Sequence, residues 1–226
     1  GGAPESMAGM KLWTVPTADG KLRPDDVQGQ CFDMEFVHRA QPGAVSITQS
    51  SEMGTVYSPD EVSALAEVAH ANNLALHMDG ARLSNAAASL HVPVRAFTVD
   101  AGVDLVSFGL TKNGAMAAES VIVLNGDRVQ GVDFLRKTSM QLASKMRFLS
   151  AQFVAMLTDD LWLRSAGHAN AMASRLHDGV GDLSGVTITQ SVDANAVFVL
   201  LPEQVASRLQ ERFHFYIWDQ ATGEVR

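Results

Sequence analysis

Two residues in this sequence have the types and spacing for cofactor chemistry. Asp79 closes the run Leu74-Ala75-Leu76-His77-Met78-Asp79, and Lys112 follows the run Asp104-Leu105-Val106-Ser107-Phe108 by four residues. Both runs are short, apolar and bounded by turn residues, so both are expected to be strands. In open α/β sheets ligands bind beyond the carboxyl ends of the strands, where both side chains would reach one crevice. A carboxylate keeps a pyridine nitrogen protonated, and a lysine amine of lowered pKa forms a Schiff base with an aldehyde. An aspartate and a lysine so placed therefore suit pyridoxal 5'-phosphate (PLP). Each residue also has a plainer reading, Asp79 as the N-cap of the helix after Gly80 and Lys112 as a solvated loop lysine.

The elements that must position these residues follow from the pattern. Residues 1–40 read as irregular, apart from a short strand at Lys11–Val15 and a turn at Ala18-Asp19-Gly20. Ala44–Thr48 is β-branched and reads as a strand. Ser58-Pro59-Asp60-Glu61 supplies an N-cap hydroxyl, a proline at the first helical position and a capping-box glutamate. Val62, Leu65, Ala66 and Ala69 then recur at helical spacing. Arg82 to about Leu90 is expected as an Ala-rich helix, and Ser120–Leu124 as a further strand. Residues 131–157 read as one long amphipathic helix, followed by a helix near 160–180 and strands near Val186–Ile188 and Ala196–Leu200. Strands alternating with helices imply a mostly parallel sheet covered on both faces. The start of a smaller lobe is placed near residue 157.

Composition narrows the classes. The 226 residues are 46% apolar and 19% charged, ordinary for a globular chain with a real core. The net charge of −8 argues against a nucleic-acid partner. No apolar run approaches the ~20 residues of a membrane span, and no signal segment opens the chain. The single cysteine, Cys31, excludes an internal disulfide and fits packing in a reducing compartment, so a cytoplasmic protein is expected. The chain opens at Gly1-Gly2-Ala3-Pro4 without Met and stops at Glu224-Val225-Arg226 with its pattern unfinished, so an incomplete chain is expected.

Longer strings carry a resemblance. His77-Met78-Asp79-Gly80-Ala81-Arg82 followed by Ser107-Phe108-Gly109-Leu110-Thr111-Lys112-Asn113-Gly114 resembles the low-specificity L-threonine aldolases, in the beta-eliminating lyase branch of fold-type I PLP enzymes. Gly2-Ala3-Pro4-Glu5, Thr48-Gln49 to Gly54-Thr55-Val56-Tyr57, Gln141–Ser150, Trp162-Leu163-Arg164 and His168-Ala169-Asn170 extend the likeness over essentially the whole chain. The resemblance implies an aspartate-aminotransferase-like large domain over residues 1–157, lacking its N-terminal part, and an incomplete small α+β domain over 158–226. It implies aldol cleavage of L-threonine, L-allo-threonine and related β-hydroxy-α-amino acids to glycine and an aldehyde. β-Elimination on another amino acid, or a non-catalytic relative that keeps the fold, stands as the alternative.

By the same resemblance Lys112 carries the cofactor and Asp79 faces its ring nitrogen. Arg82 lies one helical turn past Asp79, near the cofactor's phenolic oxygen and the substrate carboxylate. Arg226 is the second carboxylate-binding arginine, otherwise an untethered terminal side chain. Arg147, with Lys145, corresponds to a basic segment that reaches the phosphate in the neighbouring subunit, or else is a solvated turn on the long helix. A shared site makes a homodimer the smallest working unit, and the family generally builds tetramers. His77 projects from the same side of the strand as Asp79, either orienting it or satisfied in the core. The family's acid–base histidine falls within Gln49-Ser50-Ser51-Glu52, where no histidine occurs. Its phosphate loop and ring-stacking histidine fall upstream of Gly1.

Overall fold

The structure, a computed structural model, describes residues 2–226. The chain before Ala44 is mostly irregular, holding only helices α1 (Ala3–Ala8) and α2 (Pro24–Gln28). Lys11–Val15 is not a strand. Trp13 is instead drawn under the Arg39 guanidinium, 4.0 Å from its ring centroid, while Phe32 lies 3.9 Å from the same group. With its aromatic side chain engaged in that stack, the segment pairs with no other strand among the described residues.

Strand β1 (Ala44–Thr48) leads to helix α3 (Pro59–Ala71), which begins as its sequence dictates. Ser58 Oγ accepts the Glu61 amide and the Glu61 carboxylate accepts the Ser58 amide. The stripe Val62, Leu65, Ala66 and Ala69 is buried. Strand β2 (Ala75–Gly80) and helix α4 (Leu83–Leu90) follow, then strand β3 (Leu105–Gly109) and strand β4 (Glu119–Val123). The sheet runs β1-β2-β3-β4, parallel between the first three strands and antiparallel at β4. Val45, Ile47, Leu76, Met78, Val106 and Phe108 project to one face and form the core with the α3 stripe. The expectation of cover on both faces holds on that face alone: on the other, Val121 is 56% exposed and Val123 38% exposed on β4, and Ser46 is exposed on β1 at the opposite edge.

The expected long helix over 131–157 is two helices, α5 (Val132–Thr138) and α6 (Arg147–Leu157). Met140 and Lys145 between them both take a left-handed backbone, φ 59°. Phe134, Leu135 and Met140 are exposed by 79%, 62% and 87%, so no buried stripe stabilises a continuous helix there. Thr158–Asp160 forms a short kink before helix α7 (Leu161–Val180), which lies along α4. Asn85 Nδ2 donates to Asn170 Oδ1 at 3.0 Å, and Asn170 Nδ2 donates back to the Asn85 carbonyl at 2.9 Å. Strands β5 (Thr187–Ile188) and β6 (Val199–Leu200), helix α8 (Glu203–Gln210), and strands β7 (Ile217–Asp219) and β8 (Glu224–Val225) complete the chain. These strands form a second, antiparallel sheet in the order β5-β6-β8-β7, over a small core of Val199, Ala206 and Val225.

The amino end of the parallel sheet is knotted by Asp104, whose side chain is 1% exposed. Its Oδ2 accepts the Leu76 amide at 2.7 Å and lies 2.8 Å from His70 Nε2, while its Oδ1 accepts Asn125 Nδ2 at 2.8 Å. One carboxylate thus fixes α3, β2 and the turn after β4 to the start of β3. Asp104→Ala is expected to lower unfolding free energy by about 3–5 kcal/mol in urea titration, because it leaves several buried donors unpaired. Ser58→Ala, which removes only a helix cap, is expected to cost about 1 kcal/mol in the same measurement.

Candidate active site

The parallel register places the polar residues of three strands side by side. Thr48 pairs with Asp79, and Asp79 with Ser107. Along β2 burial alternates, with Leu76, Met78 and Gly80 in the core and Ala75, His77 and Asp79 half-buried on the opposite face. Gly80 is required by close packing: a Cβ there would stand 2.8 Å from the Ser107 carbonyl.

Asp79 is not a helix cap. Arg82 occupies the N-cap position of α4, and one Asp79 oxygen accepts the Ala81 amide at 2.9 Å in a tight turn. Among the described residues the carboxylate makes only that hydrogen bond, so its other oxygen is open to accept from a ligand. His77 is tied on both ring nitrogens, 2.8 Å from Ser46 Oγ on β1 and 2.9 Å from Ser107 Oγ on β3. It therefore bridges three strands directly beneath Asp79 and does not bond to it. Burial pushes the His77 pKa below its usual value, against the opposing pull of the Asp79 charge. Two serines that interrupt apolar strand runs were the readable signal for this bridge.

Lys112 lies on a single 3-10 turn, Thr111–Asn113, at the carboxyl end of β3. Its flanks are clamped while its amine is not. Thr111 Oγ1 accepts the Ala118 amide at 3.1 Å, Asn113 Nδ2 donates to the Trp162 carbonyl at 2.8 Å, and Ser165 Oγ donates to the Asn113 carbonyl at 3.3 Å. Lys112 itself is exposed and makes no hydrogen bond or ion pair among the described residues. Asp79 and Lys112 thus stand at the carboxyl ends of adjacent parallel strands.

Arg82 does not sit a helical turn beyond Asp79, because α4 starts only at Leu83 and residues 81 and 82 form a turn. It nevertheless shares a cavity of about 610 Å³ with Arg226, walled by α7 and by the segments that lead into β6 and β7. Arg226 is firmly held. Its backbone exchanges hydrogen bonds with Tyr216 at 2.9 and 3.1 Å, and its guanidinium lies 5.6 Å from the Phe198 ring and 5.4 Å from the Trp218 ring. Burial and the Arg82 charge lower the Arg226 pKa, while Glu52 and Tyr216 oppose that shift. Neither arginine has an ion-pair partner among the described residues, so the cavity brings together two cations without a direct counter-ion, an arrangement that suits an anion.

Lys145 and Arg147 lie apart from this cluster, both exposed, where the chain leaves its non-helical stretch and enters α6. The Arg147 guanidinium rests 5.0 Å from its neighbour's ring, Phe148. Among the described residues no group of three His, Cys, Asp or Glu side chains is arranged to hold a metal ion, and no helix is long and apolar enough to cross a membrane.

Comparison with known proteins gives this geometry a family. Residues 1–204 match the family described as Beta-eliminating lyase. The low specificity L-threonine aldolase of Pseudomonas aeruginosa is 42% identical over 217 residues, covering 95% of this chain and 63% of that protein. That of a Pseudomonas sp. is 39% identical, covering all of this chain and 69% of its own. A solved Leishmania major threonine aldolase superposes with a TM-score of 0.87 at 28% identity, over 97% of this chain and 64% of that one. The chain therefore spans just under two thirds of the length of two of these relatives and slightly more of the third. The α/β architecture with a mostly parallel sheet is the fold-type I architecture that the sequence implies. On the family match and the identity to its relatives, the chain belongs to the beta-eliminating lyase family.

Proposed function

We propose that this chain carries the covalent half of a PLP-dependent lyase that cleaves L-threonine, L-allo-threonine and related β-hydroxy-α-amino acids to glycine and an aldehyde. The observation that carries the reading is the placing of the Asp79 carboxylate and the Lys112 amine at the carboxyl ends of adjacent parallel strands; Arg82, three residues past Asp79, shares a separate cavity with Arg226. The likeness to named threonine aldolases supports the same chemistry.

The donor set fits the cofactor. An aldehyde needs an unpaired amine, a ring nitrogen needs a carboxylate with a free oxygen, and Lys112 and Asp79 offer these. PLP, when bound, supplies an electron-withdrawing ring that weakens the bonds at the substrate's Cα. Lys112 would hold its aldehyde carbon, Asp79 its ring nitrogen, and Arg82 its phenolic oxygen. Arg226, resting against two aromatic rings, would bind the substrate carboxylate with Arg82 and so set which bond at Cα stands across the ring. His77, locked to Ser46 and Ser107, would hold β2 and thereby Asp79 in place.

Residues 1–157 would form the cofactor-binding domain and 158–226 the small domain that brings Arg226. The exposed Lys145 and Arg147 would reach the cofactor phosphate in a neighbouring subunit, which makes the working unit a cytoplasmic homodimer, assembled further into a tetramer.

Glycine release from a panel of β-hydroxy amino acids by the full-length protein with PLP tests the reading; keto acid and ammonia in place of glycine and aldehyde would show β-elimination. Lys112→Ala is expected to lower cleavage about 10³-fold or more. Arg226→Lys is expected to raise KM about 10- to 100-fold with a smaller change in kcat, because a bidentate charge-assisted contact is lost.

A further inference from the structure

Aldol cleavage requires a group that takes the proton of the β-hydroxyl, and the groups already placed are committed elsewhere. Both nitrogens of His77 are bonded to serines, and Asp79 and Lys112 are assigned to the cofactor. The loop after β1 offers another. Its base is anchored to the site, with the Gln49 amide donating to the Asp79 carbonyl at 2.8 Å and the Ser50 amide to the Arg82 carbonyl at 3.4 Å. The buried Gln49 side chain closes the loop across Tyr57, donating to its carbonyl at 2.8 Å and accepting its amide at 3.0 Å.

The tip is a tight turn, Ser51 to Gly54, closed by the Gly54 amide on the Ser51 carbonyl at 3.1 Å and braced by Ser51 Oγ against Thr55 Oγ1 at 2.6 Å. Gly54, at φ 82°, takes a backbone conformation that favours glycine, and a Cβ there would press to 3.1 Å from Ala196, itself a wall of the arginine cavity. Of the two central residues, Met53 packs back on Gly20. Glu52 remains exposed, with no hydrogen bond or ion pair among the described residues.

We infer that Glu52 is the residue that accepts the proton of the substrate's β-hydroxyl, a step that rests on the functional reading above. With the carboxylate held at Arg226, the hydroxyl is borne two carbons away, on Cβ, beside the loop that carries Glu52. Glu52 takes the O–H proton, the O–H electron pair becomes the second C–O bond of the aldehyde, and the Cα–Cβ bond breaks with its pair left on Cα. A proton then adds to Cα, so glycine and aldehyde together balance the substrate with no oxidant or reductant. The electrostatic pull that Glu52 exerts on Arg226 fits this placement.

In the full-length protein Glu52→Gln should lower cleavage about 10²- to 10³-fold with little change in KM. It should still exchange the α-proton of glycine with D2O at the unaltered protein's rate, since that reaction involves no hydroxyl. A second measurement needs neither cofactor nor turnover. Removing this negative charge should tighten acetate binding to the cofactor-free protein about threefold or more by calorimetry at low salt. Normal cleavage by Glu52→Gln would overturn the assignment. So would loss of cleavage and exchange together. An unaltered protein that releases no glycine would sink the functional reading and the proton role together. Tighter acetate binding in the variant would, even then, place Glu52 at the arginine pair.

Discussion

The parallel pairing of β1, β2 and β3 sets Thr48, Asp79 and Ser107 in one row across the sheet. The groups proposed to hold the cofactor are placed relative to that row. Asp79 lies in it, Lys112 follows one strand end away, and the loop carrying Glu52 hangs from the Asp79 carbonyl through Gln49. A slip of one residue in β2 would turn Asp79 into the core and Met78 out of it. Two polar ties lock the register. Asp104 binds the Leu76 amide at the amino end of β2, and His77 spans from Ser46 to Ser107 at its middle.

The second constraint is electrostatic. Arg82 comes from the turn after β2 and Arg226 from the end of the second sheet, and both line one cavity, with no carboxylate among the described residues of its lining. Like charges brought together this way destabilise the empty protein and favour a bound anion. The Phe198 and Trp218 rings lie against the Arg226 guanidinium, which makes no hydrogen bond among the described residues. The proposed site would thus join three groups placed by the first sheet, Asp79, Lys112 and Arg82, to a fourth, Arg226, placed by the second, and the packing of α7 on α4 through Asn85 and Asn170 would be part of its geometry.

Much of this was legible in the sequence, for identifiable reasons. The capping box at Ser58–Glu61 and the strand runs ending at Asp79 and Phe108 are local signals, and the structure forms helix and strands at those places. Elements whose fate depends on distant partners were not legible. Lys11–Val15 has strand-like residues, but Trp13 is claimed by Arg39. Residues 139–146 fit a helical pattern, yet nothing packs on them to sustain it. Arg82 looked helical by spacing, whereas the Asp79–Ala81 turn delays α4 by one residue. The hub at Asp104 and the exposed Glu52 turn depend on contacts across tens of residues, which no local pattern encodes.

The most direct test of the account is chemical labelling of the cofactor lysine. The full-length protein would be loaded with PLP, reduced with borohydride and digested, and its peptides sequenced by mass spectrometry. The account predicts one pyridoxyl group, on Lys112 and on none of the other four lysines. A label on Lys145 or another lysine, or no label at all, would contradict it.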